Sequence, residues 1–297
     1  MKRLLATAVL AGILSACAGV SAAGLAKSET PQQSLGATGK AVSALKSVRF
    51  GANGTVDVTL PQALVDQLKA KGGSQAGFLS SKMSVALTIT GAAQRPDRLQ
   101  ATVSAKLGGL TIQTELVATG GNLYYKDPMT SKWELVKRAG AAASHGSTAK
   151  LSYQMLLDTA KSITEITDPN TSIGGVAVDH YRVVPDLVTL FDQASAGQSP
   201  TNATAASALK LVLQNASLTA DVWTGTSDHL IRRLSYDASA SADLSQLSAL
   251  MAGKAADKGP AFSLPAGSTM AQVTAHIVID LHDFNTQVNI QAPTVAG

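Results

Sequence analysis

The sequence predicts an α+β protein built on a strongly curved antiparallel sheet, a half-barrel, with helices packed on its concave side. Three observations point there. Long runs alternate apolar and polar residues with period two, as strands do when one face meets a core and the other water. Tight joints at Gly108-Gly109, Gly120-Gly121-Asn122, Asp127-Pro128, Gly174-Gly175 and Asp228-His229 separate successive runs and read as hairpin turns. Helical spacing occurs only in isolated stretches between them, which argues against a regular βαβ alternation. Roughly ten strands are enough to curl a sheet rather than leave it flat. A curled sheet covered by helices on one side encloses a space.

The first element is not part of that body. Lys2 and Arg3 precede an apolar run from Leu4 to Leu14, broken by Thr7, and Ser15 and Ala16 lead to Cys17. This is the order of a secretory signal, and the run is shorter than the ~20 residues a spanning helix needs. The ending Leu14-Ser-Ala-Cys17 resembles the bacterial lipobox, whose cysteine thiol takes a diacylglyceryl group and becomes the new N-terminus. The competing reading is an unpaired cysteine behind an ordinary signal peptide that is cut later. The expected organisation is a signal peptide over 1–16, a flexible tether over 17–33 and one domain over 34–297. Two or three acyl chains on Cys17 give durable anchoring, which places the protein on the extracytoplasmic face of a cell membrane. Ala18 stands where an aspartate often retains lipoproteins at an inner membrane, so an outer-membrane address is expected in a two-membrane cell. Cys17 is the only cysteine among 297 residues, so no intramolecular disulfide forms and stability rests on core burial.

Along the body, a helix is expected from about Leu35 to Lys46, with Val42 and Leu45 inward. A second, "PQALVDQLKAK", has Pro61 near its start and Leu64, Val65 and Leu68 at helical spacing. Strands follow. In "MSVALTIT", Met83, Val85, Leu87 and Ile89 share a face, and in "RLQATVSAKL" Leu99, Ala101, Val103, Ala105 and Leu107 do. "LTIQTELVA", "GNLYYKD", "KWELVK", "VAVDHYRVV", "SLTADVWTG", "HLIRRLSYDAS", "QVTAHIVIDLHDF" and "TQVNIQAP" continue the series. "LSYQMLLDTAKSI" is read as a helix whose stripe runs Leu151, Met155, Leu156 and Ile163. "ATAASALKLVLQNA" and "ADLSQLSALMAGKA" are further helices.

Composition and motifs exclude more than they include. Removing Lys2 and Arg3 with the signal leaves 22 of the 24 basic residues against 20 acidic ones, a net charge of +2. That is no nucleic-acid footprint, and with aromatics at only 4% there is no stacking platform for single strands. Ser-x-x-Lys occurs at Ser43/Lys46, Ser147/Lys150 and Ser207/Lys210, but the Ser-Asp-Asn and Lys-Thr-Gly partners of that chemistry are missing. His276, Asp280 and His282 share one strand face, so a metal site is conceivable. The apolar alternation of Ala275, Ile277, Ile279 and Leu281 makes that face an outward polar one instead. His145, His180 and His229 lie near loops or strand ends with no ligand cluster beside them. Lys137-Arg138 and Arg232-Arg233 point alternately in and out of their strands, as solvated charges or a basic rim for an anionic headgroup. No catalytic residue, metal ligand or cofactor is assigned.

Four segments carry a family resemblance. "GGNLYYKDPMTSKWELVK", "SIGGVAVDHYRVVPDL", "ADVWTGTSDHLIRRLSY" and "HIVIDLHDFNTQVNIQAP" resemble, in order, the conserved segments of the actinobacterial glycolipid-carrier lipoproteins of the LppX and LprG group. Two stretches, "ATAASALKLVLQNA" and "SQLSALMAGKAADKG", run longer than in that group. The resemblance implies a fold like the carriers LolA and LolB, in which a bent sheet wraps helices around an apolar cavity for acyl chains. It implies an acyl lipid or glycolipid as ligand, the membrane through the lipid anchor, and an envelope transporter protein as partners. Only Cys17 transfers by motif. The cavity lining expected from the strand pattern is Val85, Leu87, Ile89, Val103, Leu107, Leu116, Leu123, Tyr125, Val222 and Leu234, with Leu156, Leu187 and Phe191 as a lid. For each, a place in a filled core is an equal expectation. A different class of function, an envelope interaction or sensor module on the same fold, predicts a filled interior and an exposed apolar patch.

Overall fold

A computed structural model describes residues 29–72, 80–136, 153–168, 171–195, 203–246 and 269–295. Cys17, Lys137-Arg138, His145, Ser147/Lys150, Leu151 and most of "SQLSALMAGKAADKG" lie outside them. Among the described residues are five helices and twelve strands.

Helix α1 (Pro31–Ala44) opens with a capping box. Thr30 Oγ1 accepts from Gln33 N and Gln33 Oε1 accepts from Thr30 N, with Pro31 pre-set for the first turn. It therefore starts earlier than the apolar spacing indicated, inside the stretch read as tether. Strand β1 (Ser47–Thr59) follows, then α2 (Gln62–Gly72) and a meander of β2 (Lys82–Gln94), β3 (Arg98–Leu107), β4 (Leu110–Thr119), β5 (Asn122–Lys126) and β6 (Trp133–Leu135). The second half comprises α3 (Tyr153–Asp158), β7 (Ala160–Ile166), β8 (Ser172–Ile173), β9 (Val176–Pro185), α4 (Leu187–Ser195), α5 (Ala203–Gln214), β10 (Ala216–Gly225), β11 (Ile231–Asp243) and β12 (Met270–His282).

All pairings are antiparallel, in the order β6-β5-β4-β3-β2-β1-β12-β11-β10-β9-β7, with β8 paired to β9. The sheet is open, ending at β6 and β7. The two meanders meet where β1 pairs with β12 from Arg49↔His282 to Thr59↔Gln272. Because side chains alternate, the registers give the whole sheet two faces. One, the inner face, carries Phe50, Ala52, Val56, Val85, Leu87, Ile89, Leu99, Val103, Leu116, Tyr181, Val222, Leu234, Ile279 and Leu281. The other is mostly Ser, Thr and charged residues.

The helices take one part of the inner face. Helix α1 packs on α3 and β7, α3 on α4 and β9, α4 on α5 and β10, and α5 on β10 and β11. Under them Leu35, Val42, Leu45, Tyr181, Val183, Ala220, Val222 and Ile231 form one cluster. Tyr181 Oη donates to Ser34 Oγ at 2.9 Å, tying α1 to β9, and the Tyr153 ring lies against Gly39. A second cluster, Phe50, Ala52, Ile89, Leu99, Ala101 and Leu116, consists of inner-face strand residues alone. Its tightest point is Gly91, where an added Cβ would lie 2.6 Å from the Phe50 ring and against the Gln100 carbonyl. Glycine is required there by close approach.

Several expectations change. "LSYQMLLDTAKSI" divides: α3 ends at Asp158 and Ile163 lies in β7, on the same inner face as Val183. An apolar stripe spaced for a helix also fits a short helix followed by a half-buried strand. "TQVNIQAP" is not in the ladder; it runs extended across the outer face, where Val288 and Ile290 cluster with Ala92 and Val117. "ADLSQLSALMAGKA" begins as the end of β11, since Ala242 and Asp243 pair with Ala271 and Met270. The segment around Leu187 and Phe191 is a helix, capped by Asp186 Oδ1 accepting from Val188 N and Thr189 N.

Gly91→Ala is expected to destabilise the protein by about 1–3 kcal/mol, the range for overpacking a core, read as a lowered denaturant midpoint. Burial raises the Tyr153 and Tyr181 hydroxyls and pushes Tyr236 up to about 12. A phenol raised in the folded state contributes stability that is intact below its unfolded value of about 10 and lost as pH climbs past it. Phenolate absorbance for these three groups should therefore appear above pH ~10 together with loss of the far-UV dichroism, as unfolding lets them ionise.

Candidate functional site

The inner face of β1–β5 and β12 forms a wall with a gradient along the strands. At one end Leu99, Ala101, Ile89 and Phe50 are 0–2% exposed. In the middle Leu87, Val103, Ala105 and Tyr125 are half-buried. At the other end Leu110 is 58% and Ile112 45% exposed, with Val273 also exposed. The registers make this one continuous surface: Ala275–Val56–Val85–Leu107–Leu110 is a single row across five strands, and Ile277–Gly54–Leu87–Ala105–Ile112 is the next. The closest helix–sheet approaches are to β7 and β9–β11, and Leu64 and Val65 of α2 are also buried. Among the described residues this apolar face is buried at one end and exposed at the other.

Of the thirteen lining candidates, Val85, Leu87, Val103, Leu107, Leu123 and Tyr125 stand half-buried on this wall, and Ile89 and Leu116 are buried at its closed end. Val222 and Leu234 belong to the filled cluster beneath the helices, and Leu156 packs there from α3. Leu187 and Phe191 are half-buried on α4, while Leu190, between them, is its buried residue. The sequence reading missed Leu110 and Ile112, although both continue the alternation that ends at Leu116. Phe50 and Leu281, also missed, close the wall at its buried end. A hollow of about 210 Å³ lies elsewhere, between α5, β11 and β12, lined in part by Leu211, Val212, Asn215 and Met270.

The three β12 residues weighed as metal ligands lie on the opposite face, and each is paired. His276 meets Asp237 at 2.6 Å, Asp280 meets Arg233 at 2.6 Å, and His282 meets Asp283 at 3.0 Å. The three residues considered as metal ligands therefore engage three different partners. Among the described residues no group of three potential ligands converges. Ser43 Oγ donates to the Lys40 carbonyl, and Lys210 pairs with Asp192.

His180 lies in the middle of β9 rather than near a strand end, with a carboxylate on either side but no group of three potential ligands among the described residues. Its Nδ1 lies 2.7 Å from Asp168 Oδ2, and its Nε2 lies 3.2 Å from Asp221 Oδ1, out of line for a hydrogen bond. The Trp223 ring stacks on the imidazole at 4.1 Å. Arg182 forks onto Asp221 through Nε at 2.9 Å and Nη2 at 3.0 Å. Burial alone raises the Asp221 carboxyl, but the Arg182 fork and His180 outweigh it and hold the group below its ordinary value. The arrangement stitches β9 to β10 and to the segment before β8, and offers no nucleophile.

No protein-family model matches the chain, and no curated protein matches it in sequence. Among solved structures, the lipoprotein LppX of Mycobacterium tuberculosis is similar at 12% identity, covering 88% of this chain and 98% of that one with a TM-score of 0.42. LprF from Mycobacterium bovis is similar at 16% identity, covering 89% and 96% with a TM-score of 0.39. The fold described above stands on this chain's own geometry.

Arg182→Met should lower stability at neutral pH by about 1–3 kcal/mol, because it leaves the buried Asp221 carboxylate short of two donors. A carboxyl held low in the folded state contributes stability above its unfolded value of about 3.9 that is lost as pH falls. The acid-unfolding midpoint of Arg182→Met should therefore move to higher pH, and the gap from the parent should narrow as pH drops through the carboxylate range.

Proposed function

We propose that this chain is an exported lipoprotein, anchored through acylated Cys17, that binds and carries an acyl lipid or glycolipid along the inner wall of its sheet, without catalysis. The observation that carries this reading is the graded apolar wall, buried at Leu99 and exposed at Leu110 and Ile112. Each methylene moved from water to an apolar surface gains ~0.8 kcal/mol, so a hydrocarbon chain laid from mouth to closed end gains with every carbon. The wall holds no charged side chain among its central rows, which suits tails rather than headgroups. No helix of the described residues is long and apolar enough to cross a membrane, so attachment in this reading falls to the thiol.

The exposed mouth also favours a second reading, an interaction module on the same fold, in which Leu110, Ile112 and Val273 meet a protein partner such as an envelope transporter. The two readings separate by what travels with the protein. Full-length protein purified from membranes and extracted into organic solvent should yield a bound acyl lipid by mass spectrometry. Recovery of one stoichiometric protein partner and no lipid from several expression hosts would overturn the carrier reading.

Two variants test the parts. Leu110→Gln combined with Ile112→Gln should weaken uptake of a fluorescent fatty acid by about tenfold, since two partly exposed apolar contacts contribute roughly 1 kcal/mol or somewhat less each, with an unchanged thermal midpoint. Cys17→Ala should shift the protein from the membrane to the soluble fraction, because the durable anchor needs its acyl chains.

A further inference from the structure

We infer that the outer face of β1, β12, β11 and β10 is a second binding site, and that it takes a neutral, hydroxyl-rich oligosaccharide. The inference is independent of the lipid reading, because it concerns the opposite face of the sheet.

The pairing registers place eight hydrogen-bonding side chains there in two straight rows. Thr55 pairs with His276, His276 with Asp237 and Asp237 with Thr219; alongside, Asp57 pairs with Thr274, Thr274 with Ser239 and Ser239 with Ser217. With strands ~4.8 Å apart and alternate residues ~7 Å apart, each row spans ~14 Å and the rows lie ~7 Å from one another. These eight residues line a shallow depression of about 340 Å³, wide open to solvent, together with Ala238 and Ala275, whose side chains belong to the inner face and which therefore offer backbone to its base. Short hydroxyl side chains across four adjacent strands leave that space.

Its chemistry narrows the ligand. His276 is paired with Asp237, and the Ser217 and Ser239 hydroxyls meet at 2.8 Å. Thr55, Asp57, Thr219 and Thr274 keep side-chain oxygens without a bond among the described residues. Hydroxyls both donate and accept, while a carboxylate only accepts, so the face presents donors and acceptors interleaved. A sugar hydroxyl is the matching group, since it also does both. Anions are disfavoured by Asp57 and Asp237, and apolar ligands by the lack of any aromatic or aliphatic side chain on this face of the depression. Among the described residues no three ligands converge for a cation.

The test is affinity electrophoresis of the full chain through native gels containing dextran, mannan or arabinogalactan, with nuclear magnetic resonance titration of the same polymers' oligosaccharides. At least one neutral polysaccharide should retard the protein, and amide shifts should map to Thr55, Asp57, Ser239 and Thr274. The variant Asp57→Asn, Thr219→Val, Thr274→Val should weaken binding by about tenfold, as expected when three hydrogen-bonding groups are altered. Thr88→Val with Thr90→Val, outward on β2, should leave it unchanged. Failure of all three polysaccharides to retard or shift the parent protein overturns the inference. So does equal loss in the β2 variant, or a shift map elsewhere. The titration uses the parent, so the answer stands even if the triple variant folds poorly.

Discussion

The pairing of β1 with β12 is the constraint on which the rest depends. These strands lie at opposite ends of the folded chain and meet in the middle of the sheet over the run from Arg49↔His282 to Thr59↔Gln272. A slip of one residue would turn every side chain of one strand to the other face. If β1 slipped, Phe50 and Ala52 would face water, and Arg49 and Asp57 would face the core. The register is fastened at one end by a clasp. Lys46 N donates to Asn285 Oδ1 at 2.8 Å, Asn285 N donates to the Ser47 carbonyl, and Ser47 Oγ donates to the Thr286 carbonyl at 2.5 Å. The chain then crosses the outer face with Val288 and Ile290 buried beside Val117.

From that seam the two meanders diverge in what covers them. Helices occupy the inner face of β7 and β9–β11 and fill it with Leu35, Val42 and Leu45. On the β1–β5 side the sheet's own residues close one end, with Leu99 and Leu116 buried against Phe50. Nothing among the helices' main contacts reaches the rows ending at Leu110 and Ile112. The asymmetry explains why a sheet of uniform alternation carries a packed core on one side and an open apolar wall on the other. Its small residues matter here as well. Gly54, Gly91, Ala101 and Ala105 keep the wall thin, and Gly91 lets the Phe50 ring lie directly on the backbone.

Away from the cluster of Val288 and Ile290 with Ala92 and Val117, the outer face is organised by charge pairs. Asp221 between Arg182 and His180, Asp280 with Arg233 and Asp237 with His276 each link neighbouring strands. Such cross-strand pairs contribute modestly one by one and reinforce the same register as the apolar face. Between them lies a stretch of Ser and Thr with few partners of its own. One sheet therefore presents two chemically opposite surfaces, and the alternation of a single strand such as β12 contributes to both.

The amino-acid sequence by itself determined which residues alternate, and so which side chains of each strand share a face. Val85 to Ile89, Leu99 to Leu107 and the glycine turn at Gly108, with its φ of +57°, were legible because period and turn chemistry act between near neighbours. The helices at Gln62 and Ala203 were legible for the same reason. Leu151–Ile163 and "TQVNIQAP" were misread because a stripe or an alternation does not say whether a partner strand stands beside it. Only the tertiary structure decided that β1 and β12 are neighbours, that helices cover one part of the inner face, and that Asp168 and Asp221 flank His180. Those facts depend on contacts between residues far apart in the chain, whose loop closure and packing no local spacing encodes. The lining candidates therefore divided only on folding, some into a filled core and some onto an open wall.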